Sequence, residues 1–158
     1  MTETKDETKT ARPAARINLI LVPTDFSELA DESVNYAISV AHQLGARILF
    51  FHCIERYDNT DPDMFEARRD RALSTLSDLV KRVKNGGMEA TADLSDGVPF
   101  VEIIRTARKA NADLIIMGTH GRTGLTHMLM GSQAERVVRQ SSCPVLTVKS
   151  AKHQFRMV

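Results

Sequence analysis

The chain has 158 residues, a formal net charge of +1, 42% hydrophobic residues and 26% charged residues. That length fits one domain with a sizeable core, and the near-zero net charge argues against a strongly basic nucleic-acid footprint. No apolar run approaches the ~18–20 residues of a membrane span, and the N-terminal MTETKDETKTARPAAR lacks the apolar core of a signal peptide. The cysteines, Cys53 and Cys143, lie far apart without C-x-x-C spacing, as expected of reduced thiols in a cytoplasmic protein.

Residues 1–15 are polar and charged with little to bury, and read as a disordered tail before a single domain over 16–150. Residues 151–158 form a short C-terminal tail of undecided role. The apolar run Ile17 to Val22, stopped by Pro23, predicts a buried strand. Ser27 is placed to cap a helix with Ala30, Val34, Ala37, Ile38, Ala41 and Leu44 at helical spacing, ended by Gly45. Arg47 to Ile54 predicts a second buried strand. A long helix follows, with Phe65, Leu73, Leu76, Leu79, Val80 and Val83 expected on one face and Asn85-Gly86-Gly87 as its stop. Met88 to Leu94 reads as a polar-leaning edge strand. Pro99 to Lys109 reads as a helix with Phe100, Ile103, Ile104 and Ala107 inward. Asp113 to Met117 is strongly strand-like, and a long loop, a helix over Ser132 to Gln140 and a strand over Val145 to Lys149 complete the chain.

This alternation predicts an α/β fold: an open parallel five-stranded sheet with helices on both faces and right-handed crossovers. In such sheets ligands sit beyond the carboxyl ends of the strands, where the strand order reverses. For the order 3-2-1-4-5 the crevice lies between the first and fourth strands. Pro23-Thr24-Asp25 closes the first and Gly118-Thr119-His120-Gly121 closes the fourth. A second glycine cluster, Gly131-Ser132, opens the next helix, where main-chain N–H groups favour an anion. Two readings compete. The glycines with Ser132 can cradle phosphate, or Ser132 and Glu135 can form a capping box and the glycines merely serve turns. Asp25 likewise suits either a helix cap or a ligand contact at the crevice. There is no Walker-type G-x-x-x-x-G-K-[ST], no dinucleotide G-x-G-x-x-G after the first strand, and no zinc-like spacing.

The spacing G-x2-G-x9-G-[S/T], carried by Gly118, Gly121, Gly131 and Ser132, resembles the ATP-binding signature of the universal stress protein family. The resemblance runs from Ile17 to Lys149 and includes Val22-Pro23-Thr24-Asp25-Phe26-Ser27, Ala112 to Gly118, Gly131 to Val137 and Ser142 to Leu146. It implies a Rossmann-like, adenine nucleotide alpha hydrolase-like fold that binds ATP, with Mg2+ or Mn2+ held through the phosphates. It also implies a homodimer formed through the last strand, Val145 to Lys149, which would otherwise be an apolar edge. It places Asp25 near the ribose and the backbone of Cys53 against adenine, with Pro23 and Thr24 also among the ATP-binding residues. Met117 and Gly118 then flank the nucleoside, and His120, Gly121, Gly131, Ser132 and Gln133 border the phosphates. Arg122, within the variable part of the loop, is a further candidate for a phosphate partner.

Other residues carry blander readings. His52, inside an apolar strand, suits a satisfied core histidine, and Cys53 a small buried hydrophobe. His120 is a residue type suited to acid–base work but shows no acidic orienter in sequence, which favours a polar lining role over catalysis. Leu125, Met128, Leu129 and Met130 suit tucking the loop onto the domain, and Arg136 and Arg139 suit a solvated helix face. Three functions follow: a nucleotide-responsive stress or signalling module, a slow ATPase or self-phosphorylating enzyme, or a structural dimer without nucleotide. The loop carries no lysine and no evident base, so fast hydrolysis is not expected. No catalytic residue is assigned, and any protein partner is left unnamed.

Overall fold

The alternation folds as five parallel strands and four helices in a computed structural model, which describes residues 16–56, 61–120 and 130–149. In chain order these are β1 (Leu19–Pro23), α1 (Glu28–Leu44), β2 (Arg47–Ile54), α2 (Pro62–Asn85), β3 (Ala90–Asp96), α3 (Pro99–Ala110), β4 (Leu114–Gly118), α4 (Ser132–Gln140) and β5 (Val145–Val148). The sheet runs β3-β2-β1-β4-β5 with every neighbouring pair parallel, the order expected.

Strand side chains alternate between two apolar cores. Ile20, Val22, Ile48, Phe50, Leu114 and Ile116 pack with Val34, Ala37 and Ala41 of α1 and Leu76 and Val83 of α2. Their sequence neighbours Leu19, Leu21, Leu49, Phe51, Ile115 and Met117 pack on the other face with α3 and α4, through Ile103, Ala107, Ala134 and Val137. A strand apolar at every position therefore serves both faces at once, which is why β1, β2 and β4 read as unbroken hydrophobic runs.

The helix ends follow their sequence signals. Ser27 Oγ accepts from the Ala30 N–H at 3.2 Å, and Gly45 takes the left-handed φ of 65° that lets it cap α1.

Expectations for α2 and for the bounds of β1 and β3 need correction. Leu73 faces solvent, 44% exposed, because the inward row of α2 runs through Ala72, Leu76 and Val83. β3 starts at Ala90 instead of Met88, since the Gly87 and Met88 N–H groups close the end of α2 on the Lys84 and Val83 carbonyls. It ends at Asp96, two residues later than expected, where Ser95 and Asp96 pair with Cys53 and Ile54. On α3, polar Glu102 and Thr106 are buried beside the apolar row. The Glu102 carboxylate meets Arg105 at 3.1 Å and lies beside Gly97, whose φ of 139° is one that L side chains rarely adopt.

β1 begins at Leu19, not Ile17, because a side chain from β4's side intervenes. Asp113 Oδ2 accepts from the main-chain N–H groups of Asn18 (2.8 Å) and Leu19 (3.0 Å), while the Asp113 N–H donates to the Leu19 carbonyl at 2.9 Å. This carboxylate bolts the entrance of β1 to the entrance of β4, the pair that flanks the topological switch point. Charge-assisted hydrogen bonds of this kind are worth about 1.5–3 kcal/mol, so Asp113→Ala is expected to lower stability by about that much. Chemical denaturation checks it, and Asp113→Asn, which keeps one carbonyl acceptor, should recover part of the loss.

Candidate functional site

β1 ends in a turn made rigid by short side chains. The Thr24 N–H donates to the Phe51 carbonyl at 2.9 Å, and Thr24 Oγ1 accepts from the Phe26 N–H at 3.1 Å. Asp25 Oδ1 accepts from both the Ser27 N–H (3.0 Å) and the Ser27 hydroxyl (2.6 Å). Asp25 thus braces the residue that caps α1 and is not the cap itself. Phe26 sits at a φ of 62°, a left-handed value that bulky residues avoid. Its ring stacks on His52 with centroids 4.3 Å apart, and His52 Nδ1 lies 2.7 Å from the Thr24 carbonyl. A carbonyl only accepts, so Nδ1 carries the hydrogen. His52 is the buried, satisfied histidine expected, and it holds the turn from below.

On the opposite wall, the Thr119 N–H donates to the Val148 carbonyl at 3.1 Å, and the Thr119 carbonyl accepts from Gly131 N–H at 2.7 Å. This last bond delivers the chain to α4. The capping-box alternative for Ser132 and Glu135 does not form. Gly131 stands at the N-cap with φ −67° and ψ 150°, Ser132 is the first helical residue, and no side chain caps the helix. Glu135 pairs with Arg139 at 2.9 Å instead. Neither Gly118 nor Gly131 adopts a positive φ, so neither is glycine for the sake of a strained turn.

These walls enclose a cavity of about 420 Å³ beyond the carboxyl ends of the strands, within the usual range for small-molecule sites. Ten of the residues singled out from sequence line it: Pro23, Thr24, Asp25, Cys53, Met117, Gly118, His120, Gly131, Ser132 and Gln133. Gly121 and Arg122 lie outside the described residues, as do Leu125, Met128 and Leu129; Met130 packs against the core under α3 and α4. The Thr119 hydroxyl holds the His120 ring, with Oγ1 2.9 Å from Nδ1. Gln133 also caps α3, for which Val98 offers no side chain: Gln133 Oε1 accepts from the Phe100 N–H at 3.0 Å. Arg136 is exposed as expected, with its guanidinium over the Phe100 ring at 4.9 Å.

Sequence reasoning missed several lining residues, among them Glu55, Arg68, Pro99 and Ile103. Arg68 alone left a legible signal, a charged residue on the inward row of α2. Among the described residues no group of three or more His, Cys, Asp or Glu is placed to hold a metal ion, and no helix is long and apolar enough to cross a membrane.

The Cys53 thiol is pushed up to about 11, first by burial and then by the carboxylates of Glu102, Glu55 and Asp96. The buried Ser95 hydroxyl has no well-formed partner among the described residues; it lies against the thiol and offsets only part of the rise. At pH 8 the thiolate fraction should be about a hundredfold below that of an ordinary thiol, with alkylation correspondingly slow. Timed iodoacetamide labelling with peptide mass analysis, against free glutathione, measures this directly.

Residues 17–149 match the universal stress protein family. A universal stress protein of Methanocaldococcus jannaschii is 32% identical over 142 residues, covering 85% of this chain and 84% of the relative. A second universal stress protein of that organism has a solved structure that superposes with a TM-score of 0.79 at 28% identity, over 85% of this chain and 97% of that one. The universal stress protein of Archaeoglobus fulgidus, solved in complex with dAMP, shares the fold with a TM-score of 0.62 at 23% identity, over 85% of this chain and 99% of that one. With the family pattern matched across nearly the whole described domain, the chain belongs to the universal stress protein family.

Proposed function

We propose that this chain binds ATP in the cavity between β1 and β4 and acts as a nucleotide-responsive stress or signalling module of the cytoplasm. The observation that carries this reading is the start of α4. α1 and α2 have their first amides capped by Ser27 and Asp61, and α3 borrows Gln133. α4 has no side-chain cap, and Gly131, Ser132, Gln133 and Ala134 at its start line the cavity. Uncapped amides at a helix N-terminus favour an anion, with the helix dipole adding about 0.3–1 kcal/mol per charge.

The G-x2-G-x9-G-[S/T] spacing supports a phosphate at this end, and the dAMP complex of the Archaeoglobus relative supports an adenine nucleotide as the class of ligand. Asp25 then faces the ribose, the Cys53 backbone the base, and Met117 and Gly118 the nucleoside between. His120, Gly121, Arg122, Ser132 and Gln133 border the phosphates, which themselves carry the Mg2+ or Mn2+. Fast hydrolysis needs a positioned base and strong charge neutralisation, and the described lining residues include no lysine.

Nucleotide released from freshly purified protein should be identified by mass analysis as an adenine nucleotide. Gly131→Val, at a backbone conformation open to any residue, should leave the fold intact and weaken ATP binding at least tenfold, about 1.4 kcal/mol. Unchanged affinity in a folded Gly131→Val variant sinks the assignment of the phosphate end.

The sheet edges support a homodimer through β5. The β3 edge carries Asp93 and Asp96 within the strand, whereas β5 reads Val145-Leu146-Thr147-Val148, without a charge and half-buried throughout. An uncharged edge invites strand pairing, and a lysine blocks it. Light scattering after size exclusion should therefore show a dimer for the natural chain and a shift towards monomer for Thr147→Lys.

A further inference from the structure

We infer that Arg68 is a base-side specificity residue of the cavity, holding the nucleobase and not the phosphates. The inference rests on the nucleotide reading above and deepens it. The position of Arg68 on its helix is the first observation. α2 turns Phe65, Ala72, Leu76 and Val83 inward at helical spacing, and Arg68 stands in that row, half-buried and lining the cavity. The other basic residues of α2, Arg69, Arg71, Lys81, Arg82 and Lys84, are exposed. A guanidinium turned towards the protein where an apolar side chain would otherwise pack has to be matched by acceptors.

Its partners are the second observation. Nη1 reaches the Glu55 carbonyl at a long 3.4 Å, and among the described residues no carboxylate pairs with it. The neighbouring Arg56 is held otherwise, between Asp96 at 3.2 Å and the Phe65 ring at 4.9 Å. A guanidinium presents five N–H donors and no acceptor, and Arg68, which lines the cavity, has most of them uncommitted among the described residues.

The location decides what it meets. Glu55 follows β2, whereas the uncapped amides of α4 follow β4, and β1 lies between them. Adjacent strands are about 4.8 Å apart, which sets the β2 and β4 ends about 10 Å from each other. A nucleotide with its phosphates on α4 therefore extends its base towards Cys53, Glu55 and Arg68. Purine ring nitrogens are acceptors, and a planar guanidinium can donate to them or stack on the ring.

The test compares ATP, ADP and AMP on the natural chain, Arg68→Met and Arg68→Lys by calorimetry, with thermal unfolding of each ligand-free variant. Arg68→Met should weaken all three nucleotides by a common factor of about ten, the loss of one charge-assisted hydrogen bond. Arg68→Lys, which keeps the charge and loses the planar fork, should fall between the two, and it carries the test alone if Arg68→Met fails to fold. A loss that grows from AMP to ATP overturns the inference by showing that Arg68 meets phosphates, and no loss in a folded variant overturns it outright. If the natural chain binds none of the three, the nucleotide reading itself falls and takes this inference with it.

Discussion

The handedness of the crossovers is the constraint on which the site depends. β1, β2 and β3 are joined by α1 and α2 on one face of the sheet, while the chain reaches β4 and β5 through α3 and α4 on the other. Right-handed connections force this once strands are added to both sides of β1. The segments leaving β1 and β4 must then diverge to opposite faces, and among the described residues no helix or strand covers the gap between them. The cavity is a consequence of topology before any residue is chosen to line it. Asp113 fixes the same two strands at their other ends, so the wall spacing at the crevice is anchored about one strand length away.

Within that gap the residues convert an opening into a shaped site. Phe26 at a left-handed φ is strain of the order of 1–3 kcal/mol, and the surroundings hold it in place. Thr24 and Asp25 close the turn through hydrogen bonds, and His52 stacks on the ring while anchoring the Thr24 carbonyl. The Asp25 carboxylate is oriented by Ser27 before any ligand arrives. Of its two sequence readings the helix cap falls to Ser27, which Asp25 braces, and Asp25 lines the cavity.

Legibility in the sequence tracked periodicity and local chemistry. β1, β2 and β4 were visible because double-sided burial demands unbroken apolar runs, and α1 because Ser27 and Gly45 mark both ends. α2 was legible as a helix and in most of its inward row, but Ala72 is small and Leu73 conspicuous, so at that turn hydrophobicity pointed one residue off. The described candidates that line the cavity were legible because they cluster at strand ends and beside glycines. What stayed hidden depends on contacts distant in sequence. Gln133 capping α3 spans 33 residues and Asp113 capping β1 spans 95, and no local pattern encodes either.

The features suited to holding an anion here are poorly suited to transforming one. Main-chain amides at the start of α4 are fixed and uncharged; they need no reorganisation on binding but cannot neutralise a migrating phosphoryl group as a lysine or a second cation would. Arg68, a permanent cation lining the described cavity, stands on the β2 side, remote from those amides. Gln133 gives the anion end a mechanical connection instead. Its side chain is committed to the Phe100 N–H, and Arg136 one turn on covers the Phe100 ring. The described contacts thus tie the first turn of α4 to the start of α3, where Val98 and Val101 stand exposed.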